Sequence, residues 1–198
     1  MTNNTWAHIA FHGAAGDVTG ANFLLTINDR KILVDCGLSQ GDMDDNAKNN
    51  IPFAYNPADI AILIVTHAHT DHIGRIPKLV RDGFRGVIYS TAPTRDIAEL
   101  MFADALSLMK NDFEEHNTEP LYDDNDIAHA LGLWKVIPYH SHIDLGNSVS
   151  GKFYDAGHVL GSVMCEISYN DKQMLFTGDL GNSPNMLLRD TEEFMTPD

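Results

Sequence analysis

The run HAHTDH at residues 67–72 packs three histidines and an aspartate into six positions. It follows directly on IAILIVT, residues 60–66, a continuous β-branched apolar stretch that reads as a fully buried strand. Imidazole and carboxylate groups crowded onto the end of such a strand have the chemistry of metal donors. His67 and His69 are two apart, so from an extended chain they point the same way. Asp71 and His72 are adjacent and face a second point once the chain turns. Two donor groups a few ångströms apart are what a two-metal hydrolytic centre requires. One zinc takes about four ligands, so these four residues cannot fill two shells. Three further polar residues end apolar strands beside glycine: Asp35 in ILVDCG, His158 in DAGHVLGS and Asp179 in LFTGDLG.

The elements that must position these residues can be read from pattern. WAHIAFH (6–12), NFLLTI (22–27) and KILVD (31–35) read as strands, with a hairpin turn around residues 27–29. Residues 37–57 are polar and read as loop with a little helix. IPKLVRD (76–82) reads as a short helix ended by Gly83, and GVIYS (86–90) as a strand. Ile97, Leu100, Met101, Ala105 and Leu108 recur at helical spacing, predicting a helix over 94–110, and the Met and Leu positions of 100–109 are read as its core. DDNDIAHALGL (123–133) begins with N-cap residues and reads as another helix. Strands return in WKVIPY (134–139), VSGKFYDA (149–156), SVMCEISY (162–169) and QMLFTG (173–178). Strands, then helices, then strands predict an α/β domain of α+β type, in which helices flank a sandwich of mixed sheets.

Composition narrows the function classes. The chain has 198 residues, 43% of them hydrophobic, enough for one domain with a core. The net charge of −15 argues against a free-standing nucleic-acid binder held by clustered Lys and Arg. It leaves room for a locally cationic pocket, because bound divalent ions are often a site's largest charges. Two cysteines, Cys36 and Cys165, give no disulfide framework. With neither a signal-peptide pattern nor an apolar run of membrane-spanning length, a cytoplasmic protein is the expectation.

THAHTDHIG matches the H-x-H-x-D-H signature of the metallo-β-lactamase superfamily, and Asp35, His158 and Asp179 follow at its other motif positions in order. FHGAAGDVTGANFLL, DAGHVLGS and FTGDLG resemble its β-CASP branch of RNA-processing nucleases. The resemblance implies the N-terminal portion of an αββα sandwich, with the site where the strands end. It implies that His67, His69 and His158 hold a first metal and Asp71 and His72 a second, with Asp179 bridging. Asp35 would orient the ligand loop without binding metal. Two divalent ions are implied, zinc by the His-rich donors, with iron or manganese as alternatives. The implied activity is metal-assisted hydrolysis of an RNA phosphodiester, with Asp71 and Asp179 in the catalytic machinery. Alternatives are a small ester, thioester or lactam hydrolase of the same fold, and a catalytically incomplete binding module.

The chain departs from the family pattern in ways that matter. A further C-terminal histidine and the helical β-CASP insertion are absent, and Ala21 stands where the glycine-rich loop usually has serine. Residues 1–198 are therefore expected to be one N-terminal part of a longer nuclease, or a degenerate homologue. Exposed apolar surface on such a part could support a homodimer. His140 and His142 form a second H-x-H without a following Asp-His and are read as solvated. His12 is read as structural though near the pocket, His8 as structural, His116 and His129 as surface residues, and Cys36 as core. GAAGDVTG lacks the G-K-[ST] of a phosphate loop and is expected to shape the pocket rim.

Overall fold

The structure, a computed structural model, describes residues 6–41 and 45–194. Residues 42–44 of the expected polar loop, and the ends of the chain at 1–5 and 195–198, lie outside the described residues. Two sheets form the centre of the fold. The first has six strands in chain order: β1 (Ala7–Gly13), β2 (Asn22–Ile27), β3 (Arg30–Val34), β4 (Ile62–Ile64), β5 (Val87–Ser90) and β6 (Trp134–Val136). Its first three strands are antiparallel and the remainder parallel. The second sheet is wholly antiparallel, built from β7 (Ile143–Gly146), β8 (Val149–Asp155), β9 (Val163–Tyr169) and β10 (Lys172–Phe176).

The sheets pack face to face through alternate residues, as the two-residue period of a strand requires. Leu25, Ile32, Val34, Ile62 and Ile64 from the first sheet meet Phe153, Val163, Cys165 and Ile167 from the second, all buried. The opposite face of the first sheet, Leu24, Leu33, Leu63 and Ile88, packs against α3 (Ile76–Arg81), α4 (Ala92–His116) and α5 (Asp124–Gly132). Among the described residues, the short α1 (Asp45–Asn50) and α2 (Thr70–Ile73) and a 3-10 turn at Pro57–Asp59 complete the helices. β4 is buried on both faces, which accounts for its continuous apolar run.

Local chemistry explains most boundaries. The β2–β3 turn places Asn28 and Asp29 at φ 45° and 59°, the pair of positive angles a two-residue hairpin turn needs. The helix expected over 94–110 runs longer. Thr91 caps its start by accepting from the Thr94 amide, and left-handed Asn117 ends it. Its buried face differs in part from the expectation: Leu106 is core as expected, but Leu100 and Leu108 are not. Thr94, Ala98, Phe102 and Leu106, spaced by four, face the core, while Leu100 and Leu108 are 71% and 62% exposed. Ile97 and Met101 flank the core stripe. Asp123 and Asp126 form a reciprocal capping box on α5. The strand expected over 134–139 stops at Val136, two residues before Pro138, which has no amide to pair. β7, adjoining the second H-x-H, had no sequence signal strong enough to mark it as a strand.

Candidate metal centre

Each proposed donor is delivered by a chain segment leaving a strand. After β4 the backbone continues through Val65 and Thr66 to His67 and His69, then turns into α2, which carries Asp71 and His72. This turn is laced to the segment after β3: the amides of Cys36 and Leu38 donate to the carbonyls of His72 and Thr70, at 2.8 and 3.1 Å. The Ala21 amide donates to the Asp71 carbonyl at 2.8 Å. Gly37 lies against this backbone so closely that a Cβ there would collide with the Asp71 carbonyl. The Gly-rich rim is thus tied to the ligand loop through Ala21.

Asp35 organises the interior of the site. Left-handed at φ 60°, it turns a carboxylate that is only 1% exposed towards Thr66 and His72. It accepts from the Thr66 amide and hydroxyl, each at 2.8 Å, and from His72 Nδ1 at 2.7 Å. With Nδ1 donating to a carboxylate, His72 keeps its Nδ1 proton, so a metal would displace the Nε2 proton and meet the Nε2 lone pair. Thr66, whose role the sequence did not suggest, is the third member of this group. The signal was present in retrospect: a hydroxyl residue directly ahead of H-x-H, at the end of a buried strand.

His158 arrives on the turn between β8 and β9. Its amide donates to Ser162 Oγ at 3.1 Å, and the Gly161 carbonyl accepts from the hydroxyls of Thr91 and Thr94 at 2.7 and 2.9 Å. The N-terminal end of α4 therefore clamps the loop that carries His158. Asp179 follows β10 through Gly178, whose φ of +53° brings the chain against Thr66, where a side chain would not fit.

These segments converge. His67, His69, His158 and Asp179 offer donor atoms that all lie within 4.8 Å of one another. His69 Nδ1 is 3.0 Å from His67 Nε2 and 3.3 Å from His158 Nε2. Asp179 Oδ2 lies 3.7 Å from His67 Nε2 and 3.5 Å from His158 Nε2. Donors about 2.0–2.2 Å from a tetrahedral ion are about 3.3–3.6 Å from one another, so these spacings fit a metal shell. A second set adjoins the first: His72 Nε2 lies 3.8 Å from Asp71 Oδ2 and 3.5 Å from Asp179 Oδ1. Asp179 turns one oxygen to each set.

The electrostatics suit cation binding. Burial, reinforced by repulsion from the neighbouring histidines, pushes His67 down to about 2, leaving it neutral and free to ligate. Burial also pulls His72 down, but the combined pull of Asp35, Asp71 and Asp179 outweighs it and raises the group to about 9. Burial likewise lowers His158. The site is closed on the His67 and His72 side and opens to solvent at His158 and Asp179, where a substrate can enter.

The remaining candidates lie apart from the cluster. His140 faces Glu192 at 3.6 Å, and His116 pairs with Asp112 on α4. His12 packs its ring on Tyr55 at 4.9 Å. Cys36 is fully buried and pushed up to about 12, as a core thiol is. Among the described residues no helix is long and apolar enough to cross a membrane.

A two-sheet sandwich with a His/Asp donor cluster at the ends of its strands defines a metallo-hydrolase type of fold. The chain belongs to the metallo-beta-lactamase superfamily, whose family model matches residues 15–196. It is 37% identical over 178 residues to "Ribonuclease TTHA0252" of Thermus thermophilus, a match covering 90% of this chain and 39% of that one. It is 31% identical over 185 residues to "Transcription termination factor FttA" of Methanosarcina mazei, covering 90% of this chain and 28% of that one. The chain thus spans well under half of these relatives. The metallo-beta-lactamase fold protein YhfI of Bacillus subtilis superposes with a TM-score of 0.53 at 16% identity, over 87% of this chain and 62% of that one. That likeness extends to the fold alone.

Proposed function

We propose that this chain carries the dinuclear metal centre of an RNA phosphodiesterase of the β-CASP type. The observation that carries the reading is Asp179, whose two oxygens face two donor sets, His67 with His158 on one side and His72 on the other. In this reading His67, His69 and His158 hold one ion, Asp71 and His72 the second, and Asp179 bridges them. The donors are nitrogen and carboxylate oxygen, which suits zinc and admits iron or manganese. Bound ions would supply Lewis-acid polarisation of a phosphoryl oxygen and a lowered pKa for an attacking water.

The chain's own residues do the rest. His67 stays neutral, Asp35 keeps the His72 proton on Nδ1, and Thr66 ties Asp35 to the ligand loop. Asp71 and Asp179 line the solvent-facing side, where their carboxylates can orient a water and accept its proton. The ribonuclease name of the Thermus relative supports RNA as the substrate. The test is metal content per chain after purification without chelator, for the wild type and His69→Ala, followed by cleavage of a labelled single-stranded RNA. About two metals in the wild type, fewer in the variant, and RNA cleavage that follows metal content are expected. Turnover of small esters with RNA left intact would overturn the assignment.

A further inference from the structure

His158 is the one histidine of the first donor set that comes from a separate part of the chain. His67 and His69 share the segment after β4, whereas His158 sits alone on the turn between β8 and β9. Its ring is also held differently. His72 Nδ1 bonds Asp35 at 2.7 Å, and His67 Nδ1 lies 3.1 Å from the Thr66 hydroxyl. Among the described residues, the polar contacts of the His158 ring are both at Nε2, with His69 and Asp179 inside the donor cluster. Its place is therefore set through its backbone. A metal site needs such support, because its donors must be held to within about 0.5 Å.

Three buried hydroxyls, those of Ser162, Thr91 and Thr94, supply the support. Ser162 Oγ accepts from the amides of His158 and Val159 at 3.1 and 3.3 Å, and the Ser162 amide donates to the Val159 carbonyl at 3.0 Å. Residues 158–162 are thereby closed into a compact turn. Two outside contacts then fix it. The Val163 amide donates to the Thr66 carbonyl at 2.8 Å, next to His67. The Gly161 carbonyl accepts from both threonine hydroxyls, one for each of its lone pairs. The fit is close: a Cβ on Gly161, at φ +87°, would stand 2.7 Å from Thr91 Oγ1 and 2.8 Å from the Thr94 amide nitrogen. Thr91 Oγ1 also accepts from the Thr94 amide as the N-cap of α4. The start of a long helix and the turn of a metal donor thus share one hydroxyl.

Building on the metal-centre reading, we infer that Ser162, Thr91 and Thr94 are positioning residues for the first metal position, and that the N-terminal turn of α4 is coupled to its occupancy. Coupling between two sites is reciprocal. A hydroxyl network that holds His158 ready for an ion is itself held more firmly once the ion fixes His158. The effect is specific to the first position, because His72 takes its support from Asp35 and not from α4.

The test is a zinc titration of the full chain after metal removal, with a competing chelator, followed by the imidazole nitrogen resonances, which shift on coordination. His158 reports the first position and His72 the second. Thr94→Val removes one donor to Gly161 and leaves the Thr91 cap in place, and Ser162→Ala opens the turn from its other side. Each is expected to weaken zinc at His158 about tenfold, the low end for removing a group behind a metal histidine, with a smaller change at His72. Thr94→Ser, which keeps the hydroxyl, should bind as wild type does. Hydrogen exchange at the Thr94 and Arg95 amides should slow on zinc binding in the wild type and not in Thr94→Val. The backbone amide spectrum shows whether each variant folds, and Ser162→Ala carries the test if Thr94→Val does not. Wild-type affinity at His158 in the folded variants, or an equal loss at His158 and His72, would overturn the positioning role and leave the metal centre standing. No imidazole shift in the wild type would overturn the metal centre and this inference with it.

Discussion

Replacing Asp35 by Asn tests how the site is organised without touching a donor atom. The carboxylate accepts three hydrogen bonds, from the Thr66 amide, the Thr66 hydroxyl and His72 Nδ1. An amide can accept from the Thr66 amide with its oxygen, but its nitrogen then faces the Thr66 hydroxyl and His72 as a donor. Thr66 can rotate to accept. His72 can accept only by moving its own proton to Nε2, the atom that faces Asp71 and Asp179. Binding at the second metal position must then move that proton again and is weakened, while His67, His69 and His158 are untouched. Loss of a partner behind a metal histidine costs about 10- to 100-fold in metal affinity, which is about 1.4–2.8 kcal/mol. Weakening hydrogen bonds to a buried charged group costs a further ~2 kcal/mol of folding stability. Calorimetric titration of metal-free Asp35→Asn with zinc should show the first ion bound nearly as in wild type and the second weakened by that factor. Thermal unfolding should show the lower stability. Two ions bound with wild-type affinities would refute the reasoning, because the tautomer of His72 would then not depend on Asp35.

Three further predictions rest on the same geometry. In the metal-free protein, His72 is raised to about 9, so its contribution to stability is fully present below pH 6.5 and is lost as pH rises through 9. His67, depressed to about 2, acts oppositely: the unfolded chain gains a proton below 6.5 that the folded one refuses, so stability falls as pH drops from 6.5 towards 2. Denaturant titrations should place the optimum set by these two groups near 6.5. Loading the second position near pH 7 should release about one proton, read from the buffer dependence of the binding heat. Gly37→Ala should destabilise the fold by about 3 kcal/mol, at the upper end for overpacking, because its Cβ meets a backbone carbonyl that cannot rotate away. An unchanged melting temperature would count against the tight seam between residues 35–38 and the ligand loop.

The sequence by itself determined a good deal. The β-branched run IAILIVT reads as a buried strand, and β4 is buried on both faces as that requires. The spacing of Asp123 and Asp126, and the paired turn residues Asn28 and Asp29, specified a cap and a hairpin by local chemistry alone. Local signals failed where long-range packing decides. Leu100 and Leu108 have the spacing of core residues, yet α4 turns Ala98, Phe102 and Leu106 inward, because which stripe of a helix is buried depends on what it docks against. β7 is a strand only because β8 pairs with it.

What only the tertiary structure decided is the meeting of parts remote in the chain. Thr91 and Thr94 hold the loop of His158, and Thr66 links Asp35 to His72. Asp179 turns one oxygen to each donor set. A sequence can announce that a residue is a donor, since that is a property of its atoms. The distance between two donors is a property of the packed sheets, because the rigid sandwich brings together ends of strands that the chain itself leaves far apart.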